Sequence, residues 1–96
     1  MKELREAILE QLKTVIDPET GADVVRMRLV EDLAIEEDGQ VSYCFHPSSP
    51  LCPIAVYLVQ QIKQAVATVP GVRAQKIEVT GYVAAEELTK LINKEN

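Results

Sequence analysis

Apolar residues recur at helical spacing in three stretches of the chain. Residues 2–16, 53–69 and 84–92 each place apolar side chains three or four positions apart, with polar residues between them. This spacing puts the apolar side chains on one face of a helix and predicts three amphipathic helices. We expect the first helix to end before Pro18, because a proline disfavours helical geometry in the residue that precedes it. The second is expected to end at Pro70.

Apolar and polar residues alternate in two shorter stretches on either side of a turn signal. Residues 31–36 and 41–46 flank the dipeptide Asp38-Gly39, which favours a tight hairpin turn. Residues 72–80 are rich in residues that favour strands and predict a third strand. The alternation of this strand slips near Gln75, which predicts a bulge there.

Together these elements predict a fold of the α/β (α+β) class with the order α-β-β-α-β-α. A small three-stranded sheet with helices packed on it would bury every apolar face, and we expect residues 1–96 to form a single small domain. The first two strands should be antiparallel neighbours because the loop between them is short. Residues 24–30 are apolar with Arg26 and Arg28 interposed, and the pattern leaves a helical turn and a strand entry both open.

Composition and charge narrow the classes of function. The 96 residues are 47% hydrophobic but include only three tyrosines, one phenylalanine and no tryptophan, so the core must be mainly aliphatic. The net charge of −5 argues against nucleic-acid binding, since phosphate backbones are bound by clustered lysine and arginine. No apolar run approaches the ~20 residues that cross a bilayer. The first residues are charged and lack the apolar stretch of a signal peptide, so we expect a cytoplasmic protein without membrane contact.

Cys52 is the residue best placed for chemistry. It lies between Pro50 and Pro53, where a polar turn gives way to the second predicted helix. A helix start presents unpaired N–H groups and a partial positive charge, which stabilise a thiolate. Because proline is tolerated in the first helical turn and rarely later, we predict that Cys52 lies at the N-cap or in that turn, where solvent reaches it. The alternative is a small packed apolar residue.

Several polar residues near Cys52 are candidates for supporting roles. Ser48 and Ser49 are candidate caps of the second helix, and their hydroxyls are alternatively donors to a nearby sulfur or anion. Cys44 and His46 lie two residues apart on one face of a strand. With Cys52 they would form a three-ligand metal site with one open position. The plain alternatives are a packed strand residue for Cys44 and a surface residue for His46.

Asp17 and Glu19 form the remaining candidate pair. Two carboxylates on either side of Pro18 are suited either to acid–base chemistry or to turn formation at the end of a helix. With two cysteines, the chain has too few thiols for a closed four-ligand zinc or iron–sulfur site. Beyond Cys52 no catalytic constellation stands out, and we predict that the protein is not an enzyme.

The motifs in this order resemble the SufT/PaaD-like family of iron–sulfur cluster assembly domains, which includes the eukaryotic cytosolic iron–sulfur targeting subunit. The resemblance covers residues 4–80 and rests on Asp17-Pro18-Glu19, Leu29-Val30, Asp38-Gly39, Ser48-Ser49-Pro50-Leu51-Cys52-Pro53 and Pro70-Gly71-Val72. It implies an iron–sulfur assembly-type α/β domain that acts in the maturation of iron–sulfur proteins. It also implies that Cys52 is the reactive or cluster-binding cysteine, with Ser48, Ser49, Asp17 and Glu19 in support.

The chain departs from the family pattern in three places. Arg28 stands where the family usually has glycine, which puts a cation close to the motif. The segment 81–83 replaces the Pro-x-Trp segment that many members carry after the last strand. Cys44 and His46 are not part of the pattern, so the resemblance assigns them no role.

The function implied by the resemblance is that of a carrier or adaptor for cluster insertion into target proteins. The expected partners are iron–sulfur apo-proteins and the assembly machinery, and the cargo is a transient iron–sulfur cluster. A single Cys52 cannot complete the ligand set of a cluster, so a second protomer in a homodimer, a target protein or a small thiol would share it. Two alternatives stay open. One is an accessory redox-thiol or assembly subunit of a multi-subunit oxygenase, with Cys44 as resolving thiol. The other is a purely structural interaction domain.

Overall fold

The computed structural model of this protein describes residues 2–94. Within that range the chain forms three helices and three strands in the predicted order α-β-β-α-β-α. They are α1 (Lys2–Leu12), β1 (Val30–Ile35), β2 (Gln40–Phe45), α2 (Ala55–Ala67), β3 (Ala74–Val79) and α3 (Ala85–Asn93). No helix among these residues has the length and apolar character needed to cross a membrane.

The first helix ends four residues earlier than the apolar pattern predicts. After Leu12 the backbone leaves the helix and pairs with a later segment, where Val24 N–H donates to the Val15 carbonyl at 3.0 Å and Ile16 forms an antiparallel bridge with Asp23. Val15 remains buried. Its apolar spacing therefore continues the helical stripe, although its backbone belongs to a turn.

The three strands form one sheet in the order β1-β2-β3. β1 and β2 are antiparallel, with Val30 opposite Phe45 and Ile35 opposite Val41, and Gly39 in their turn has a φ of +90°. The predicted hairpin is therefore confirmed. β2 and β3 are parallel and pair without a break from Gln40–Ala74 to Phe45–Val79. Because parallel neighbours need a crossover connection, α2 runs back along the sheet between them.

The bulge lies in β1 and not in β3, so the prediction of a bulge near Gln75 is wrong. The register shifts between Glu31 and Ala34, where Asp32 adopts a φ of 57°. Gln75 instead occupies a regular inward position of β3, and its side chain is buried. Because a polar residue occupies a core position here, the apolar–polar alternation of the sequence is interrupted although the strand is regular.

The buried amide of Gln75 is tied to two neighbouring elements. Its Oε1 accepts a hydrogen bond from the Tyr43 hydroxyl at 2.7 Å, and its Nε2 donates to the Lys63 carbonyl in α2 at 2.9 Å. Burial raises the pKa of Tyr43, which keeps this hydroxyl protonated as a donor. These bonds satisfy polar groups that would be costly to bury alone.

The core fills the space between the inner face of the sheet and helices α1 and α2. Its members are mostly aliphatic, as the composition predicts, and Phe45 is the largest of the fully buried side chains. The fully buried apolar residues include Ile8, Leu12, Val24, Val41, Ala55, Val59, Ile62, Val66 and Ile77.

Helix α3 seals the outer edge of β3 through its side chains. Asn93 accepts from Ile77 N–H at 2.9 Å and donates to the Ile77 carbonyl at 2.7 Å, so it imitates the backbone of a fourth strand. Thr89 Oγ1 accepts from Val79 N–H at 2.9 Å. The Lys63 ammonium donates to the Ile92 carbonyl at 2.6 Å, which places a cation at the end of α3.

Residues 24–30 begin with a helical turn and then enter β1, so each of the two open interpretations describes part of the segment. The Asp23 carboxylate caps this turn by accepting from Val25 N–H at 3.1 Å and Arg26 N–H at 2.9 Å. The turn closes with Leu29 N–H donating to the Val24 carbonyl at 3.0 Å. Arg28 N–H donates to the Val25 carbonyl at 3.1 Å, and Arg28 has a φ of 59°. This is the Schellman pattern, in which the left-handed position usually holds glycine.

We predict that Arg28→Gly stabilises the protein. A left-handed conformation costs an L-residue energy that glycine does not pay, so the free energy of unfolding should rise by about 1 kcal/mol and the Tm by about 4–8 °C. Urea and thermal unfolding measure the change. Arg28→Ala is the matched control, because it removes the cation but keeps the Cβ, and it should give no gain. Equal stabilisation by both variants would contradict the backbone explanation.

We also predict that Asn93→Ala destabilises the fold by about 2 kcal/mol, since two backbone groups of β3 lose their partners. Urea unfolding measures the change in the free energy of unfolding. Faster amide hydrogen exchange at Ile77 would show that the destabilisation lies at the edge of β3. Lys90→Ala, which removes an exposed side chain of the same helix, is the control and should cost below about 0.5 kcal/mol. If Asn93→Ala lowers the free energy of unfolding no more than Lys90→Ala does, Asn93 does not stabilise the edge of β3.

Candidate functional site

The loop between β2 and α2 carries Cys52 at the carboxyl end of the parallel strand pair. β2 ends at Phe45 and α2 begins at Ala55, so residues 46–54 cross this end of the sheet. In open sheets with parallel strands, binding sites form outside the carboxyl ends of the strands, where connecting loops meet helix starts. The topology therefore places Cys52 at the position of the fold that most often carries function.

The loop is held in shape by short-range hydrogen bonds. Cys52 N–H donates to the Ser49 carbonyl at 3.1 Å, and Leu51 N–H donates to Ser49 Oγ at 3.3 Å. Ser49 therefore organises a turn within the loop. The N-cap of α2 is Ile54, and no side chain caps it, so the prediction that Ser48 or Ser49 caps this helix is wrong. Ser48 is exposed.

Cys52 lies two residues before the N-cap of α2 and is buried. Cys52 is 4% exposed and belongs to the hydrophobic core. The predicted place at the N-cap or in the first turn, open to solvent, is therefore wrong on both points. The Ser49 turn intervenes between the strand and the helix, and it directs the thiol inward while Leu51 is 74% exposed.

Asp17 and Glu19 form a turn in which only one carboxylate is enclosed. Asp17 is 2% exposed, and its Oδ1 accepts from Glu19 N–H at 2.8 Å. Its carbonyl accepts from Gly21 N–H at 2.7 Å. The Glu19 side chain is exposed. These bonds match the turn interpretation of the pair, in which an aspartate organises the backbone that follows it.

The Asp17 turn and the Cys52 loop lie at the same end of the molecule. Leu4, near the start of α1, lies against Gly71, just beyond the end of α2, so the two helices run antiparallel. Ile16, which precedes Asp17, and Tyr57, near the start of α2, accordingly both line a cleft that runs along this helix. The antiparallel packing thus places the two motifs that the family resemblance assigns to the site toward the same end of α2.

Cys44 lies on the opposite face of the sheet from the core. Its thiol donates to Glu78 Oε1 at 3.6 Å. Burial raises the pKa of the Cys44 thiol, and the neighbouring carboxylates of Glu78 and Asp32 raise it further. Cys44 therefore carries less thiolate near neutral pH than an ordinary cysteine.

His46 lies at the end of β2 and packs against the segment that follows β3. Its Nδ1 is 3.3 Å from Thr80 Oγ1, and its ring lies directly over Gly81, where a Cβ would collide with it. The sequence grouped His46 with Cys44 and Cys52 as metal ligands. Across residues 2–94 no group of three or more such side chains is placed to hold a metal ion, so the structure does not form that ligand set.

A contact that the sequence does not reveal joins the Cys52 loop to the start of α3. Val83 N–H donates to the Pro50 carbonyl at 2.8 Å, and Val83 is 71% exposed. Thr80 N–H donates to the Phe45 carbonyl at 3.0 Å, which fixes this segment beside the end of β2. The bond joins backbone atoms of residues that are distant in sequence, so no residue type predicts it.

Comparison with known proteins assigns the chain to a family. The family model described as Iron-sulfur cluster assembly protein matches residues 5–79, which include both the Asp17 turn and the Cys52 loop. The chain is 36% identical over 76 residues to the Fe-S protein maturation auxiliary factor YitW of Bacillus subtilis, covering 79% of this chain and 74% of that protein. It is 35% identical over 75 residues to the iron-sulfur cluster carrier protein of Synechocystis, covering 78% of this chain but only 21% of the carrier.

Solved structures agree with the sequence comparison. The fold is similar to a crystal structure of a domain of unknown function, DUF59, from Bacillus anthracis, with a TM-score of 0.75 and 26% identity. The similarity covers 98% of this chain and 92% of that one. With the sequence match and the fold in agreement, the chain belongs to the iron–sulfur cluster assembly protein family.

Proposed function

We propose that this protein is a maturation factor that carries an iron–sulfur cluster, or docks the apo-protein that receives one, through Cys52. The observation that carries this proposal is the family match over residues 5–79, because it spans the whole loop that presents Cys52. The names of the Bacillus subtilis and Synechocystis relatives, a maturation auxiliary factor and a cluster carrier, support the same process.

The chemistry of the Cys52 loop suits this role. Thiolate sulfur is the protein ligand that iron in clusters prefers. The start of α2 has no side-chain cap, so its partial positive charge is not offset by a capping side chain and favours a nearby anion. Cys52 is buried in the closed loop, so ligation requires the loop to move. Loops are the elements that most readily open locally.

A cluster held by one thiolate is suited to transfer rather than storage. An iron–sulfur cluster takes four protein ligands, and Cys52 supplies one. We propose that the remaining ligands come from a second protomer, from the receiving protein or from a small thiol. In this scheme the cluster is cargo, the protein acts as a carrier or adaptor and not as an enzyme, and its partners are iron–sulfur apo-proteins and the assembly machinery.

The surroundings of Cys44 argue against a redox pair with Cys52. A resolving thiol must lie within disulfide range of its partner and react as thiolate. Cys44 is on the outer face of the sheet next to Glu78, whereas Cys52 belongs to the core on the other side. The raised pKa of Cys44 further lowers its reactivity.

We predict that Cys52→Ala abolishes cluster binding and transfer, because it removes the soft ligand. The measurement is anaerobic reconstitution with iron and sulfide, followed by bound iron and sulfide per chain and by activation of an apo-ferredoxin. Cys44→Ala is the matched control, since it removes the other thiol, and it should retain at least half of both signals. Both variants should keep the wild-type circular dichroism spectrum.

Two results would overturn the assignment. Cluster binding by folded Cys52→Ala at the wild-type level would remove Cys52 from the site. Loss of binding in Cys44→Ala alone, with its fold preserved, would move the ligand to the strand.

We also predict that Cys44 alkylates more slowly at pH 7.5 than a cysteine in an unstructured peptide. Its raised pKa lowers the thiolate fraction at this pH, so its rate should keep rising beyond the pH at which the peptide rate levels off. The measurement is a pH profile of alkylation in Cys52→Ala. Glu78→Gln in the same background should move the profile toward lower pH by removing a neighbouring negative charge. An unmoved profile would contradict the electrostatic part of this explanation.

A further inference from the structure

Cys52 is buried, so a reagent or a cluster reaches its sulfur only after the loop opens. Three hydrogen bonds hold the loop locally, linking Ser49 to Leu51, Ser49 to Cys52, and Cys52 to Ala55 N–H at 3.4 Å. The start of the loop is held to distant segments through His46, whose N–H donates to the Leu29 carbonyl at 2.8 Å and whose Nδ1 lies 3.3 Å from Thr80 Oγ1. Closer to Cys52, Val83 N–H donates to the Pro50 carbonyl at 2.8 Å, and this bond holds the middle of the loop against a separate element.

The segment that supplies Val83 is itself fixed in place. Thr80 N–H is bonded to the Phe45 carbonyl at 3.0 Å, and Gly81 lies directly under the His46 ring. Ala85 N–H donates to the Tyr82 carbonyl at 3.1 Å, which closes a turn over Tyr82–Ala85 before α3 begins. The donor is therefore fixed, and the loop is the element that can move away from it.

Both partners of this bond lie at the surface. Val83 is 71% exposed, and Pro50 is exposed as well. If the bond breaks, water can reach both backbone groups, so opening does not leave a buried polar group unpaired. The bond is thus cheap to break, whereas the apolar surroundings favour return of the Cys52 side chain to the core.

We propose that the hydrogen bond from Val83 N–H to the Pro50 carbonyl is a latch that keeps the Cys52 thiol buried, and that its opening sets the rate at which reagents or cargo reach the sulfur. The inference rests on the proposed function only for the biological use of that exposure. The latch itself is a property of the loop and the start of α3, and it is tested without iron.

The turn geometry allows the latch to be removed by one substitution. Val83 is the second residue of the turn Tyr82–Ala85, a position at which proline is favoured because its fixed φ fits the turn. Val83→Pro therefore keeps the turn and removes only the backbone N–H that donates to the Pro50 carbonyl. Val83→Ala is the matched control, because it removes most of the side chain and keeps the N–H.

The test measures alkylation of Cys52 by iodoacetamide at pH 7.5, in a Cys44→Ala background so that a single thiol reacts. Val83→Pro should react about fivefold faster than the parent. This is the change expected when one backbone hydrogen bond no longer opposes local opening. Val83→Ala should react within about twofold of the parent. Urea unfolding of each variant establishes that reaction occurs by local opening and not by global unfolding.

Each other outcome decides against the latch. An unchanged rate in folded Val83→Pro would show that the bond does not control exposure. Equal acceleration by both variants would assign the burial to the Val83 side chain. If Val83→Pro does not fold, hydrogen exchange in the Cys44→Ala parent replaces it. The Val83 amide should then be protected, and exchange at the rate of an unstructured peptide would refute the latch.

Failure of the latch and failure of the proposed function are distinguishable. Accelerated alkylation in Val83→Pro, together with full cluster binding by Cys52→Ala, would keep the latch and reject the ligand assignment. An unchanged alkylation rate in Val83→Pro, together with loss of cluster binding in Cys52→Ala, would keep Cys52 as ligand and reject the latch.

Discussion

The parallel pairing of β2 with β3 is the constraint on which the rest of the structure depends. Parallel neighbours cannot be joined by a tight turn, so the chain must cross the whole sheet through α2 before β3 begins. This crossover covers the inner face of the sheet and fixes where the core lies. It also forces the connection from β2 to α2 to lie at the carboxyl end of both strands, and that connection contains Cys52.

Much of the fold could be predicted because it depends on local patterns. The helical stripes and the Asp38-Gly39 turn each act over a few residues, and each gave the correct element. The errors arose where distant parts of the chain decide. Val15 and Ile16 continue the helical spacing but pair with residues near Asp23. Gln75 looked like a break in the strand because its partners, Tyr43 and Lys63, are remote in sequence.

The sequence names the residues of the candidate site but does not predict their geometry. The Pro50-Leu51-Cys52-Pro53 motif and the acidic turn at Asp17 identify the family and lie at one end of the fold. The sequence offered burial of Cys52 only as the alternative to an exposed thiol, because a serine before a helix usually serves as its cap. Here Ser49 closes an additional turn, which rotates the thiol toward the core. The Val83 contact was invisible because it is made by the backbone.

The bulge in β1 has a consequence for how copies of this protein behave at high concentration. With α3 sealing β3, the outer side of β1 is the exposed edge of the sheet. The bulge at Glu31–Ala34 interrupts its hydrogen-bonding line, and the Arg5 guanidinium occupies the Leu33 carbonyl at 2.9 Å. Two adjacent acidic residues, Glu31 and Asp32, add like-charge repulsion between copies. Interrupted, charged edges resist the strand-to-strand stacking that leads to fibrils. The proposed opening of the Cys52 loop can therefore recur without the sheet becoming a template for aggregation.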